Sequence, residues 1–352
     1  MDYQAVIERI KEKLPKTKEY ILADNHLEWD WVYEFPLPAR EEEIVKTEER
    51  LKIAIPAALR AYYGGIANGG PGPGYGMYPL DKLWVIEGYE LSQDPLPQCK
   101  TLMKRLSRKE GNSYQALCFL TQGDAYDVSC LLEGPDQGKI VMSCDEEPYL
   151  MAADENFLDW YERWIDEMLA GFDMNLYPDR YKGSQEELIR LFKDNQSDEK
   201  VQQQILLSLN RYPNLLPDTF TFYLSLLFDS RFADKTGYYL FVRGIPQGRQ
   251  HIVSMLISSD KEKKDRAMTY LIWAAQHGWG LREWLMLLNE PEIKEDETLS
   301  KEILLKLKDW YAQHVKTLQF IMSQAKRIDP STEEQLEQSK QLALKFKEYL
   351  AK

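Results

Sequence analysis

Residues 41–76 read EEEIVKTEERLKIAIPAALRAYYGGIANGGPGPGYG, and the fold of the first half of the chain turns on this stretch. The spacing predicts a helix over Glu41 to Leu51 and a second beginning at Pro56, since proline suits a first helical turn, where its missing N–H has no intrahelical partner. Leu59, Tyr62, Tyr63 and Ile66 then share one face. Residues 64–76 hold seven glycines and two prolines in thirteen positions. Gly64 and Gly65 end or fray the second helix, and Asn68, Gly69 and Gly70 offer the left-handed conformations of a turn. A phosphate loop requires Lys and then Ser or Thr after its last glycine, and a dinucleotide fingerprint requires a strand before and a helix after. Here Gly76 leads into Met77, Tyr78, Pro79 and Leu80, and a helical pattern precedes Gly64. The glycines therefore read as a structural bend. Its solvent-facing residues, among them Asn68, Tyr75 and Tyr78, are candidate contacts for a ligand or partner.

On the N-terminal side, Val6, Ile7, Ile10 and Leu14 recur at helical spacing, giving a short amphipathic helix that Pro15 is expected to end. The aromatic and proline-rich WDWVYEFPLP, residues 29–38, reads as loop. On the C-terminal side come segments of strand character: QALCFL (115–120), YDVSCLL (126–132), KIVMSC (139–144) and YLMA (149–152). They are separated by the turn-forming TQGD, EGPDQG and DEEP, which predicts consecutive antiparallel pairing. The next run, DENFLDWYERWIDEMLAG, is a clear amphipathic helix with an apolar stripe of Phe157, Leu158, Tyr161, Trp164, Ile165, Met168 and Leu169, Asp154 as its cap and Gly171 as its stop. Helices, sheet and helix in that order predict an α+β domain, with helices on one face of an antiparallel sheet.

From Gly183 onward the pattern is almost entirely helical. Ser184 and Glu187 have capping-box spacing, and apolar stripes recur in VQQQILLSL, TFYLSLL, HIVSMLI, AMTYLIWAA, LREWLMLL, ILLKLKDWY and QLALKFKEYL. Their intervals suit stacked helical hairpins, a degenerate helical-repeat array, without a residue-level repeat. Two domains are expected, residues 1–178 and 184–352. Charge divides at the same place: residues 1–182 carry 33 acidic and 20 basic residues, while residues 183–352 carry 24 of each, so the whole net charge of −13 sits in the first half. An acidic surface favours a basic partner and disfavours the phosphate backbone of nucleic acid.

Hydrophobic residues make up 44% of the 352 positions, enough for a substantial core. No run approaches the roughly 18 apolar residues of a membrane span, and MDYQAVIERIKEK lacks the features of a signal peptide, so a soluble cytoplasmic protein is expected. Cys99, Cys118, Cys130 and Cys144 show no CxxC spacing and read as reduced thiols. The histidines at 26, 251, 277 and 314 have no second His or Cys at ligand spacing; His26 with Glu28 is the nearest approach, so no metal is expected. Ser129 and Cys130 fall inside a strand, without a nucleophile elbow. The carboxylate runs Glu41–Glu43 and Asp145–Glu147 read as solvated faces. No catalytic set and no cofactor site is predicted. Glu155, Asp159, Glu162 and Asp166, at steps of four, three and four, form one ridge on the closing helix. Residues 145–167 contain nine acids and a single base, Arg163. The ridge is either the wet face of an amphipathic helix or a surface whose like-charge repulsion a basic partner would relieve.

The stretch EIVKTEERLKIAIPAALRAYYGGIANGG resembles the SUKH superfamily, which includes fungal cell-wall synthesis regulators and bacterial immunity proteins: an acidic helix, a short link with proline, a helix with an aromatic end, then an Asn-Gly-Gly turn. PGPGYG resembles a common bacterial branch, and Gly138 before KIVMSC, followed by ENFLDWYERWIDEML, resembles the closing strand and the Trp-rich helix. The likeness covers about residues 1–175. TQGDAYDVSC stands where that branch usually has a Trp-Gly signature, and the helical region after Gly183 lies outside the likeness. The resemblance implies a non-catalytic intracellular binding protein, an immunity protein that neutralises a cognate, basic, nuclease-type toxin. A different expectation is a regulatory or scaffold protein that binds a peptide or protein through its helical half.

Overall fold

A computed structural model describes residues 3–24, 35–87, 102, 106, 114–145, 147–174, 177–276 and 280–306. His26, Glu28, Cys99, His277, His314, most of the WDWVYEFPLP segment and the helices expected after residue 306 lie outside them. The chain divides into two compact units, Met1–Asn214 and Leu215–Lys352.

The first unit opens with α1 (Gln4–Asp24), which carries Pro15 in its interior instead of ending there. A mid-helix proline removes one hydrogen bond and crowds the preceding turn. Here burial of Ile7 and Ile10, together with ion pairs from Arg9 and Lys13, fixes the helix against its neighbour whatever its local propensity. The helices α2 (Glu41–Leu51) and α3 (Ala57–Gly65) follow as expected, with Pro56 as the residue that caps α3. The sheet has five strands in sequential antiparallel order: β1 (Trp84–Glu87), β2 (Gln115–Gly123), β3 (Tyr126–Leu131), β4 (Ile140–Cys144) and β5 (Glu147–Met151). The short edge strand β1 had no counterpart among the expected strands. Asp124 and Ala125, not Thr121 and Gln122, make the β2–β3 turn, and both have positive φ.

One face of the sheet, with Leu117, Phe119, Val128, Cys130, Ile140 and Met142, packs under α4 (Phe157–Leu169), α3 and α1. Trp160, absent from the expected stripe, is fully buried there with Phe157, Tyr161 and Trp164. The opposite face is apolar as well: Ile86, Ala116, Cys118, Leu131 and Val141 pack with Leu102 and Leu106. Asn156 caps α4 in place of Asp154, accepting from the Leu158 and Asp159 amides at 2.9 and 3.3 Å. Asp154 is two residues too early for that role. It is buried and instead binds Arg163 at 2.8 Å and Lys182 at 3.0 Å.

The expected break near Gly183 proves to be a tightly held segment. Tyr177 is fully buried, donates from its hydroxyl to the Trp160 carbonyl at 2.8 Å, and lies under the guanidinium groups of Arg163 and Arg211 at 4.6 and 5.2 Å from its ring centre. Arg211 donates to the Asp173 carbonyl and to Glu167, and the Ser208 hydroxyl accepts from the Tyr181 amide. These contacts join α5 (Gln185–Asp194) and α6 (Glu199–Asn210) to the sheet unit, so the division falls at Asn214 and not at residues 178–184. By the observed division the first unit has 38 acidic and 24 basic residues, net −14, and the second has 19 and 20, net +1.

The second unit is helical: α7 (Pro217–Leu226), α8 (Ala233–Val242), α9 (Pro246–Leu256), α10 (Lys261–Gln276), α11 (Gly280–Leu287) and α12 (Pro291–Lys294), with residues 297–306 also helical. Successive helices pack on one another from α7 to α11. At the closest approach, a Cβ on Gly248 of α9 would lie 2.2 Å from the Phe241 amide nitrogen of α8.

Candidate protein-binding surface

The acidic ridge of α4 is answered largely from within the chain. Glu162, whose side chain is 12% exposed, accepts from Arg9 at 2.8 and 3.0 Å and from Lys13 at 2.8 Å. Lys13 also reaches Asp166 at 2.6 Å. The Arg9 hydrogen bond is the main cause that holds the Glu162 carboxyl below its ordinary range. The bases that seemed missing from the ridge thus come from α1, more than 140 residues away in sequence and invisible to a reading of α4 alone. Asp166 stays half-exposed. Glu155 is 79% exposed and has Lys139 only at 3.6 Å. Asp159 accepts from the Asn156 side chain at 2.7 Å, and burial followed by the Asp154 charge raises its carboxyl. Glu155 stands just before the Asn156 cap, outside the helix on which the ridge was expected; the most exposed carboxylates of the set are Glu155 and Asp166, with Asp159 part-buried between them.

The glycine stretch is pinned as a bend. Gly69 and Gly70 have φ of +89° and +109°, and a Cβ on Gly69 would meet the Pro79 nitrogen at 2.8 Å. Asn68 keeps negative φ; its side-chain oxygen accepts from the Leu80 amide at 3.0 Å. The hydroxyls of Tyr62 and Tyr161 donate to the Gly69 and Pro71 carbonyls at 3.0 and 2.7 Å. The amides of Tyr75 and Tyr78 donate to Thr121 and Phe119 of β2, laying the stretch along that strand. Tyr78 is half-buried against Trp84, its phenol pushed up by burial, and its carbonyl accepts from the Tyr63 hydroxyl. Asn68 and Tyr78 are thus committed to the bend, whereas Tyr75 lies at the end of the sheet beside Gly123.

The remaining candidates are placed as follows. Cys118, Cys130 and Cys144 are free, and burial drives the thiols of Cys118 and Cys130 up, which suppresses the thiolate a nucleophile needs. Ser129 is buried in β3. His251 meets Asp234 at 3.2 Å, and Asp234 also binds Arg266 at 2.5 Å. Glu43 closes the N-terminus of α2 and Glu41 pairs with Arg60. Among the described residues no group of three His, Cys, Asp or Glu is placed to hold a metal ion, and no helix is long and apolar enough to cross a membrane. Sequence reading missed the meeting of Tyr126, Tyr149 and Asp179 at one end of the sheet. The turn residues of TQGDAYD and CDEEPY marked the hairpin tips, but the third partner comes from beyond α4.

Compared with family models, curated proteins and solved structures, the chain matches none.

Proposed function

We propose that this chain is a non-catalytic protein-binding module whose first unit sequesters a basic protein partner. In the setting that the SUKH-like likeness of residues 1–175 implies, it is a cytoplasmic immunity protein and the partner a nuclease-type toxin domain. The observation that carries the reading is the charge partition, net −14 on the first unit against +1 on the second. A surface of this sign speeds encounter with a cationic protein and helps to orient it. Glu155, just before α4, and the half-exposed Asp166 on it supply the outward charge, with Asp159 part-buried between them.

Affinity capture of the full chain from its native cell, with the adjacent coding region co-expressed, tests the reading. The expected result is a basic protein whose association slows and loses salt dependence in the Glu155→Gln, Asp159→Asn double variant. Capture of no basic protein, or rates and salt slopes unchanged in the variant, overturns the corresponding part of the reading. A second reading, a regulatory or scaffold protein that binds through its helical unit, is favoured by the exposure of Phe228 (92%) and Trp273 (47%). It predicts that Phe228→Ala and Trp273→Ala weaken capture while the acidic variant does not.

A further inference from the structure

The tips of the two hairpins lie side by side, the Asp145 amide of the β4–β5 turn donating to the Ala125 carbonyl of the β2–β3 turn at 3.1 Å. Behind them stands a pair of tyrosines. Tyr126 is 41% exposed and meets Tyr149 edge to face, ring centres 6.1 Å apart at 84°. The Tyr149 hydroxyl donates to Asp179 at 2.5 Å, and the Gln122 side chain donates to the same carboxylate oxygen at 3.3 Å, so Asp179 is fixed in place against the rings. Tyr75 flanks the site at Gly123, where a Cβ would come within 2.7 Å of its hydroxyl. Asp124 and Asp145 are exposed at the tips, and among the described residues neither they nor Asp179 is in an ion pair. The site therefore combines a part-exposed aromatic ring with carboxylates of one sign. That combination recognises a cation: a ring face attracts positive charge through its quadrupole, and nearby carboxylates add to the field.

We infer that this end of the sheet receives a lysine or arginine side chain presented by a basic protein partner, its cationic head on the part-exposed ring of Tyr126 and its charge answered by Asp179 and Asp145. The inference rests on the basic-partner reading and adds to it a location and a chemistry. The Tyr126 phenol is raised chiefly by Cys144 and burial, with smaller contributions from Asp179 and Asp145; that of Tyr149 is raised chiefly by burial and then by Asp179.

The test needs no partner. The full chain, labelled on its tyrosine rings, is titrated with acetyl-Gly-Lys-Gly-Lys-Gly-amide and with the same peptide carrying norleucine for lysine, and followed by NMR. The expected result is a saturable shift of the Tyr126 and Tyr149 resonances with the lysine peptide alone. Asp179→Asn should weaken it by about fivefold to tenfold, while Tyr126→Phe, which keeps the ring, should retain it. Absence of saturable shifts, or equal shifts with norleucine, overturns the inference. If a basic partner is captured and binds Tyr126→Ala and Asp179→Asn as tightly as the parent, the inference fails while the protein-binding reading stands. If the lysine peptide binds as expected but no basic protein is captured, the site stands and the reading of its partner falls.

Discussion

Replacing Glu162 by glutamine separates an internal clamp from a binding surface. A freely solvated ridge would lose almost nothing on neutralisation, since exposed substitutions usually stay within about 0.5 kcal/mol. Glu162 instead accepts three hydrogen bonds from Arg9 and Lys13, with its side chain 12% exposed. Hydrogen bonds to a charged group contribute about 1.5–3 kcal/mol when shielded, and the half-exposure of Arg9 reduces this, leaving about 1–2 kcal/mol for the substitution. For a unit of this size that lowers the melting temperature by about 2–8 °C. The pH dependence follows from the depressed carboxyl of the folded state. Its stabilising effect is complete above the unfolded glutamate value of about 4.3 and is lost as pH falls through the lower folded value. Glutamine does not titrate, so the gap between parent and variant should be full at pH 7 and close in acid. Differential scanning calorimetry of parent, Glu162→Gln and Glu155→Gln at pH 7 and at pH 3 measures it, with Glu155→Gln expected to melt like the parent. Equal melting of Glu162→Gln and parent at pH 7, or a gap that persists unchanged at pH 3, would refute the assignment of Glu162 to the α1–α4 clamp.

Two further outcomes concern the architecture. Gly248→Ala places a Cβ 2.2 Å from a backbone nitrogen of α8, which cannot rotate away, so the second unit should lose about 1–3 kcal/mol while the transition of the first unit is unchanged; a single alanine variant with the parent's denaturation profile would show that the helices separate at no cost. Of the two regions, brief digestion with proteinase K should cut residues 214–218, all but Leu215 exposed, before residues 177–183, which the Tyr177, Arg163 and Arg211 contacts hold; early cleavage at 177–183, identified by mass spectrometry, would restore the division drawn from composition.

The sequence by itself determined whatever depends on neighbours along the chain. The period of apolar residues set α2, α3 and α4, because a helix face repeats within a few residues; Gly69 and Gly70 made a turn, because only glycine takes those φ values cheaply; and turn residues spaced the strands so that sequential antiparallel pairing followed. The tertiary structure decided what depends on residues far apart. Pro15 is carried inside α1 because packing on α4 outweighs a lost hydrogen bond, and Asp154 gives up the cap because Arg163 and Lys182 claim it in the interior. The charge of α4 could not be judged from α4, since Arg9 and Lys13 reach it from another helix. The place where the chain divides moved to Asn214 because Arg211 binds Glu167 and Asp173 across about forty residues. The tyrosine pair at the hairpin tips gained its carboxylate in the same way, from Asp179 beyond α4. Local periodicity encodes elements, whereas charge compensation and convergence of side chains are properties of distance in space, which no spacing along the chain records.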